Sequence, residues 1–157
     1  MKTFKNLFLA TFLATGGLAL TSCSNDDNSS DNETLIEASA LPELARTFIA
    51  THFPDATYVR IEKQNVADAD GSIYDVHLSN GFEIDFDANG NWTDVDGNAN
   101  AIPTAILPET ITNYVTANYP DLFISTIEIE TTGYDVELSN DLDLIFNSQG
   151  EFVRISN

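Results

Sequence analysis

The chain carries one pattern twice. Leu41-Pro42-Glu43 followed by Phe53-Pro54-Asp55 returns 66 positions later as Leu107-Pro108-Glu109 followed by Tyr119-Pro120-Asp121. Tyr74-Asp75-Val76-His77-Leu78-Ser79-Asn80 returns only 60 positions later as Tyr134-Asp135-Val136-Glu137-Leu138-Ser139-Asn140, so one loop differs by six residues between the copies. A tandem supersecondary unit constrains the fold more than any single motif, because each copy tests the reading of the other. Units of about sixty residues bury too little surface to be robust alone, so a shared sheet and core are expected.

Within a unit the hydrophobic period changes once. Leu41, Leu44, Ala45, Phe48, Ile49 and Phe53 share one helical face, and Leu107, Ile111, Tyr114, Val115 and Tyr119 repeat it. Pro42 and Pro108 suit a helix start, and Pro54 and Pro120 end each helix by withholding a backbone donor. A short helical turn is expected before each, over 36–40 and 103–106. Beyond the helix the period falls to two, the mark of strands with one buried face. Val59, Ile61 and Lys63 are expected inward against Arg60 and Glu62, and Ser125, Ile127 and Ile129 against Thr126, Glu128 and Glu130. Tyr74, Val76 and Leu78 point to the core in the next strand, with Tyr134, Val136 and Leu138 as their counterparts. Ser79-Asn80-Gly81 marks a hairpin leading to Phe82, Ile84 and Phe86, matched by Leu142, Leu144 and Phe146. Turns at 87–90 and 147–150 place Gly90 and Gly150 before a fourth strand opened by Trp92 or Phe152. The expected fold is therefore α+β: two helix-plus-four-strand units, 36–97 and 102–157, forming an antiparallel sheet of up to eight strands with helices packed on one face and water on the other.

The start of the chain reads as an address. Lys2 and Lys5 precede an uncharged apolar stretch from Leu7 to Leu20, the pattern of an export signal over residues 1–23. Leu20-Thr21-Ser22-Cys23 resembles the lipobox of bacterial lipoproteins, which makes Cys23, the single cysteine, the expected lipidation site. Residues 24–34 are almost wholly Ser, Asn, Asp and Glu, too polar to bury an apolar surface, and are expected to be a flexible acidic tether. Asp26-Asp27 just behind Cys23 resembles the acidic signal of surface lipoproteins, so the outer membrane is the expected location, with its two faces left open. Membrane contact is expected through that anchor only. The domain proper spans 35–157.

Past Cys23 the bases are Arg46, Arg60, Lys63 and Arg154 against all 25 acidic residues, a formal charge of −21. Such a surface repels phosphate backbones and anionic lipid, which excludes nucleic acid as a partner and favours a basic one.

Leu41-Pro42, Phe53-Pro54, Tyr74-Asp75-Val76, Asn80-Gly81, Phe86-Asp87, Gly90 and Trp92, followed by Leu107-Pro108, Tyr119-Pro120, Tyr134-Asp135-Val136, Phe146, Gly150 and Phe152, resemble the PepSY-like, beta-lactamase-inhibitor-protein-like repeats of bacterial exported lipoproteins. The second unit departs from the pattern at Asp141, Asn147 and Phe152, which stand where the first has Gly81, Asp87 and Trp92. The resemblance implies a two-layer fold and a non-enzymatic binding or inhibitory role, and it supplies no catalytic residue and no cofactor.

Three candidate chemistries remain. Asp85-Phe86-Asp87-Ala88-Asn89-Gly90, with Asp94 and Asp96 behind, imitates the opening of a calcium loop, but it lies on strands rather than between helices, and the copy Ile145-Phe146-Asn147-Ser148-Gln149-Gly150 keeps the turn without carboxylates at the first two ligand positions; a structural hairpin is expected there, and no metal ligands are assigned. His52 and His77 have no second His or Cys at zinc-ligand spacing, and no serine sits at a nucleophile elbow, so an enzyme is not expected. The outward face is different. By strand parity Asp75, His77, Glu83, Asp85, Glu128, Glu130, Asp135, Glu137 and Asp143 share it. They are the expected docking residues for an exported, basic protein or peptide, with the loop 65–71 as a further rim; a calcium-binding envelope protein is the alternative.

Overall fold

A computed structural model describes residues 33–156. The signal stretch, Cys23 and residues 24–32 lie outside the described residues. The element order is β1 (Glu33–Leu35), a 3-10 turn (Ala38–Ala40), α1 (Glu43–His52), β2 (Tyr58–Gln64), β3 (Tyr74–Leu78), β4 (Glu83–Phe86), β5 (Trp92–Asp96), α2 (Glu109–Asn118), β6 (Ile124–Glu130), β7 (Gly133–Leu138), β8 (Leu142–Asn147) and β9 (Phe152–Ile155). All nine strands form one sheet in sequence order, every neighbour antiparallel.

Eight strands were expected and a ninth is present. Glu33 and Thr34, assigned above to the tether, pair with Gln64 and Lys63, because the edge of β2 leaves backbone donors and acceptors that a neighbouring extended segment can satisfy whatever its side chains.

Each helix begins after a proline, with Glu43 or Glu109 in its first turn where the helix dipole favours a negative charge. Each ends as Phe53 or Tyr119 donates back to Ile49 or Val115, at 2.8 and 2.7 Å. Ala45, Ile49, Ile111 and Val115 are buried against the sheet, with Phe48 and Tyr114 half-buried beside them. Leu44, placed on the buried stripe above, is exposed: a four-residue step from Leu41 to Ala45 to Ile49 carries the contact line past it.

The inner sheet face follows the expected alternation through Tyr74, Val76, Leu78, Ile84, Phe86, Val95, Val136, Leu138, Leu144 and Phe146, all buried. Tyr134 and Leu142 are half-buried at the rim of the same cluster. Aromatic side chains bind the layers in the same way in both halves. Phe48 meets Phe86 edge-on at 5.8 Å and lies 6.4 Å from Trp92; Tyr114 meets Phe146 edge-on at 5.5 Å and stacks on Phe152 at 4.6 Å.

β2 and β6 break the simple alternation. Irregularities between Tyr58 and Arg60 and between Ile124 and Thr126 insert one residue into each strand. Ile61, Ser125 and Ile127 are inward as expected, but Val59 and Lys63 are exposed and Ile129 lies at the rim.

The turns before β5 and β9 touch the helix starts. A Cβ on Gly90 would stand 2.7 Å from the Pro42 side chain and 2.9 Å from the Ala45 backbone nitrogen, so the hairpin seats against α1 only because this residue is glycine.

Candidate functional site

The outer sheet face carries no helix among the described residues, and its antiparallel register lines side chains into two adjacent rows. The first runs Glu62, Asp75, Asp85, Asp94, Glu128, Asp135, Ile145 and Arg154, one residue from each of β2 to β9. Six consecutive members are carboxylates, and at about 4.8 Å per strand they extend over roughly 24 Å. The second row runs Arg60, His77, Glu83, Asp96, Thr126, Glu137 and Asp143 across β2 to β8.

Of the expected residues, Asp75, Asp85, Glu128 and Asp135 fall in the first row and His77, Glu83, Glu137 and Asp143 in the second. Glu130 stands apart: it is opposite Gly133 at the far end of β6, one step beyond both rows, and is exposed. Glu62 and Arg60, placed outward above, and Asp94, Asp96, Thr126, Ile145 and Arg154 complete the rows and are not among the expected docking residues. The alternation Asp94-Val95-Asp96 about an apolar residue was the available signal, obscured because Thr93 sits at an irregularity between the β4 and β5 pairings and shifts the phase after Trp92.

Most of these side chains are half-buried by their neighbours, and Glu62 is buried. Arg60 forms an ion pair with Glu62, and the Glu62 hydrogen bond, set against a smaller effect of burial, holds the guanidinium above its ordinary pKa. The two ring nitrogens of His77 each lie 3.3 Å from a carboxylate oxygen, Nε2 from Asp75 and Nδ1 from Glu83. Thr126 Oγ1 donates to Asp96 at 3.4 Å. Like charges directly opposite one another on a sheet each cost a few tenths to about 1 kcal/mol. Their recurrence along the first row therefore carries a repulsive cost, which the Arg60–Glu62 ion pair offsets at one end.

Glu62, Asp75 and His77 have one ligand atom apiece within 4.8 Å of one another. Glu62 already pairs with Arg60 and both imidazole nitrogens of His77 already face carboxylates, so these ligand atoms have protein partners. The calcium-like turn has another use. Asp87 Oδ1 accepts from the backbone of Asn89 at 2.8 Å and Asn91 at 2.9 Å, and Asn91 Nδ2 donates to Oδ2 at 3.0 Å. Burial raises the Asp87 pKa, but these hydrogen bonds together outweigh it and hold the carboxyl below its ordinary value. Asn147 makes the same two backbone bonds, to Gln149 at 3.0 Å and Glu151 at 2.9 Å, without a charge. The rim loop is closed on itself, with Asp70 Oδ1 accepting from the Ser72 hydroxyl at 2.8 Å. His52 lies against Phe48, ring to ring at 4.6 Å, on α1 and away from the rows.

A family model described as beta-lactamase-inhibitor-like and PepSY-like matches residues 29–69 and 72–154. Among solved structures, the chain is similar to a candidate periplasmic protein of unknown function from Bacteroides vulgatus, at 29% identity over 80% of this chain and 99% of that one, with a TM-score of 0.74. A second candidate periplasmic protein from the same organism is 36% identical over 82% of this chain and 99% of its own, with a TM-score of 0.72. A third, described as a candidate calcium-regulated periplasmic protein from Bacteroides thetaiotaomicron, is 35% identical over 80% of this chain and 97% of its own, with a TM-score of 0.73. None of the curated proteins matches. No helix among the described residues is long and apolar enough to cross a membrane.

Proposed function

The chain belongs to the PepSY-like, beta-lactamase-inhibitor-like family, and from that premise we propose that it is a non-enzymatic binding module of the cell envelope that docks a basic exported protein or peptide on its outer sheet face. The observation that carries the reading is the pair of rows, in which the carboxylates of Glu62, Asp75, Asp85, Asp94, Glu128 and Asp135 stand side by side next to Glu83, Asp96, Glu137 and Asp143. Such a face attracts Lys and Arg side chains and speeds their approach. Inhibition of an enzyme is one consequence such docking would have.

The two helix-plus-four-strand runs are read as copies of one unit, and the chain as held at the outer membrane by lipid on Cys23. A Cys23→Ala chain recovered in the membrane fraction as fully as the unaltered one would remove the anchor from this account.

The docking test is crosslinked recovery of partners from envelope fractions with the unaltered chain and with Glu83→Gln, Asp85→Asn and Asp143→Asn combined. Loss of a partner with the variant, and a rate of association that falls with salt, are expected. Full retention of every partner by the variant rejects the acidic-face mechanism.

A second reading is favoured by the density of hard oxygen donors and by the calcium-regulated description of one similar structure: a calcium-binding envelope protein. Calcium chloride that produces neither heat in a calorimetric titration nor a rise in melting temperature rejects it.

A further inference from the structure

The sheet contains one internal joint, β5 against β6, and presents the two halves of a similar joint at its ends. At the internal joint Asp94 lies opposite Glu128, Val95 opposite Ile127 and Asp96 opposite Thr126, and Gly97 N donates to Ser125 O at 2.8 Å. β9 stands 60 positions after β5, so Val153, Arg154 and Ile155 are the counterparts of Thr93, Asp94 and Val95; β2 stands 66 positions before β6, so Tyr58, Val59, Ile61 and Glu62 are the counterparts of Ile124, Ser125, Ile127 and Glu128.

Positions that the internal joint buries are open and apolar at the ends. Thr93 is 8% and Val95 0% exposed, against 55% for Val153 and 43% for Ile155. Ile124 is 4% and Ser125 3% exposed, against 36% for Tyr58 and 68% for Val59. β1 pairs with the β2 edge at Glu62–Gln64, Ile36 N just beyond it donates to Ile61 O at 3.0 Å, and the strand is exposed along its length, with Leu35 at 69%. Beside it an open cleft of about 510 Å³ runs between Leu35–Ala38 and Tyr58–Ile61, along the stretch whose counterpart the loop 97–102 covers in the second half.

We propose that copies of this chain join head to tail, β9 of one adding to the β2 edge of the next in place of β1. The occupant of each edge is a second copy because the internal joint supplies the geometry and the ends improve the charge. Where the internal joint opposes Asp94 to Glu128, the joint between copies opposes Arg154 to Glu62; where it pairs Val95 with Ile127, the new joint pairs Ile155 with Ile61. Elsewhere the net charge drives copies apart, but at the β9 end the first row closes on Ile145 and Arg154 rather than on carboxylates. Such contacts are heterologous and form chains rather than closed pairs. A single added strand buries less than the roughly 1,000 Å² of a stable interface, so association is weak and grows where copies are crowded.

The test uses full-length chains in a Cys23→Ser background, one carrying Ser156→Cys and the other Arg60→Cys, the counterparts of the paired Asp96 and Thr126. Oxidation of the mixture is expected to give a crosslinked dimer at a yield at least tenfold above either variant alone. Crosslinking of Ser156→Cys with itself would mean two-fold pairing of β9 edges and overturn the proposal, as would no crosslink in the mixture. Sedimentation of the chain without engineered cysteines guards against a misfolded Arg60 variant: concentration-dependent association is expected, and Arg154→Glu, at an exposed position, reduces it at least tenfold. A chain that stays monomeric to millimolar concentration, or association indifferent to Arg154→Glu, overturns the proposal. Thr34→Pro, which weakens β1, is expected to raise association severalfold; an unchanged or lower value refutes displacement of β1.

Discussion

Asp85→Asn is expected to stabilise this protein, and by an amount that salt erases. Asp85 lies opposite Asp75 on β3 and Asp94 on β5, so its charge faces a like charge on each side. Directly opposed side chains stand about 5 Å apart. In water two unit charges at that distance repel by about 0.8 kcal/mol. Screening leaves about 0.7 kcal/mol of this at 0.01 M salt, about 0.4 at 0.15 M and about 0.2 at 1 M. With two neighbours, the substitution removes repulsion of about 1.4, 0.9 and 0.3 kcal/mol in turn, and asparagine keeps the shape and a hydrogen-bonding oxygen for the other contacts of this position. Urea denaturation of both chains at the three salt concentrations measures this, with a rise in melting temperature of about 3 to 6 °C per kcal/mol as a second readout. Asp55→Asn, at an exposed residue outside the rows, is the control. No gain at 0.01 M, or a gain that does not shrink with salt, would show that the first row is not under electrostatic load and that its carboxylates need no functional explanation.

Three further outcomes follow from the geometry. Asp87→Ala removes the acceptor for the 87–91 turn and is expected to cost about 1 to 3 kcal/mol at pH 7, whereas Asp87→Asn, which copies Asn147, costs less than about 1. Because the folded Asp87 pKa is depressed, its contribution is fully present above the unfolded value of about 3.9 and is lost as pH falls through the folded value; urea titrations below pH 5 should show that loss in the unaltered chain and not in Asp87→Asn. Gly90→Ala combines a φ of +87° with collision against the Pro42 side chain and Ala45 backbone, for about 2 to 4 kcal/mol, while Gly81→Ala, also at +87° but with its nearest contact at 3.7 Å, costs about 1; equal losses in thermal denaturation would contradict the packing of this turn on α1. Phe48→Ala is expected to cost about 2 to 4 kcal/mol and to shift the fluorescence of Trp92, the single tryptophan, to the red; unchanged emission would mean that the Phe48 ring does not shield it.

Much of this protein is legible without coordinates because the properties concerned are local. The step from a period of 3.6 to a period of two separates Ala45, Ile49, Ile111 and Val115 on helices from Val76, Ile84, Val136 and Leu144 on strands, and the buried side of each was assigned correctly. The outward position of Asp75, Asp85, Asp135 and Glu137 follows from the same parity. Where backbone geometry departs from regularity, parity fails: the irregularity in β2 falls at Val59, which is exposed, and the one at Thr93 hid Asp94 and Asp96 from the list of face residues; Lys63 keeps its parity, opposite Tyr74, but is exposed with its ammonium over that ring. Leu44 fails differently, since a helical stripe narrower than its apolar residues leaves one of them outside.

By itself, then, the amino-acid order determined the kind of the two helices and of β2 to β9, and for most of their residues the side turned to the core, because side-chain spacing along one segment suffices for both. Only the tertiary structure decided which residues stand opposite one another, since register depends on turns, inserted residues and the hydrogen-bond ladder between strands distant in sequence. Six carboxylates came into one line by that means, and Glu33–Leu35 became a strand by pairing its backbone with the edge of β2, where Gln64 Nε2 also donates to Glu33 Oε1 at 3.1 Å.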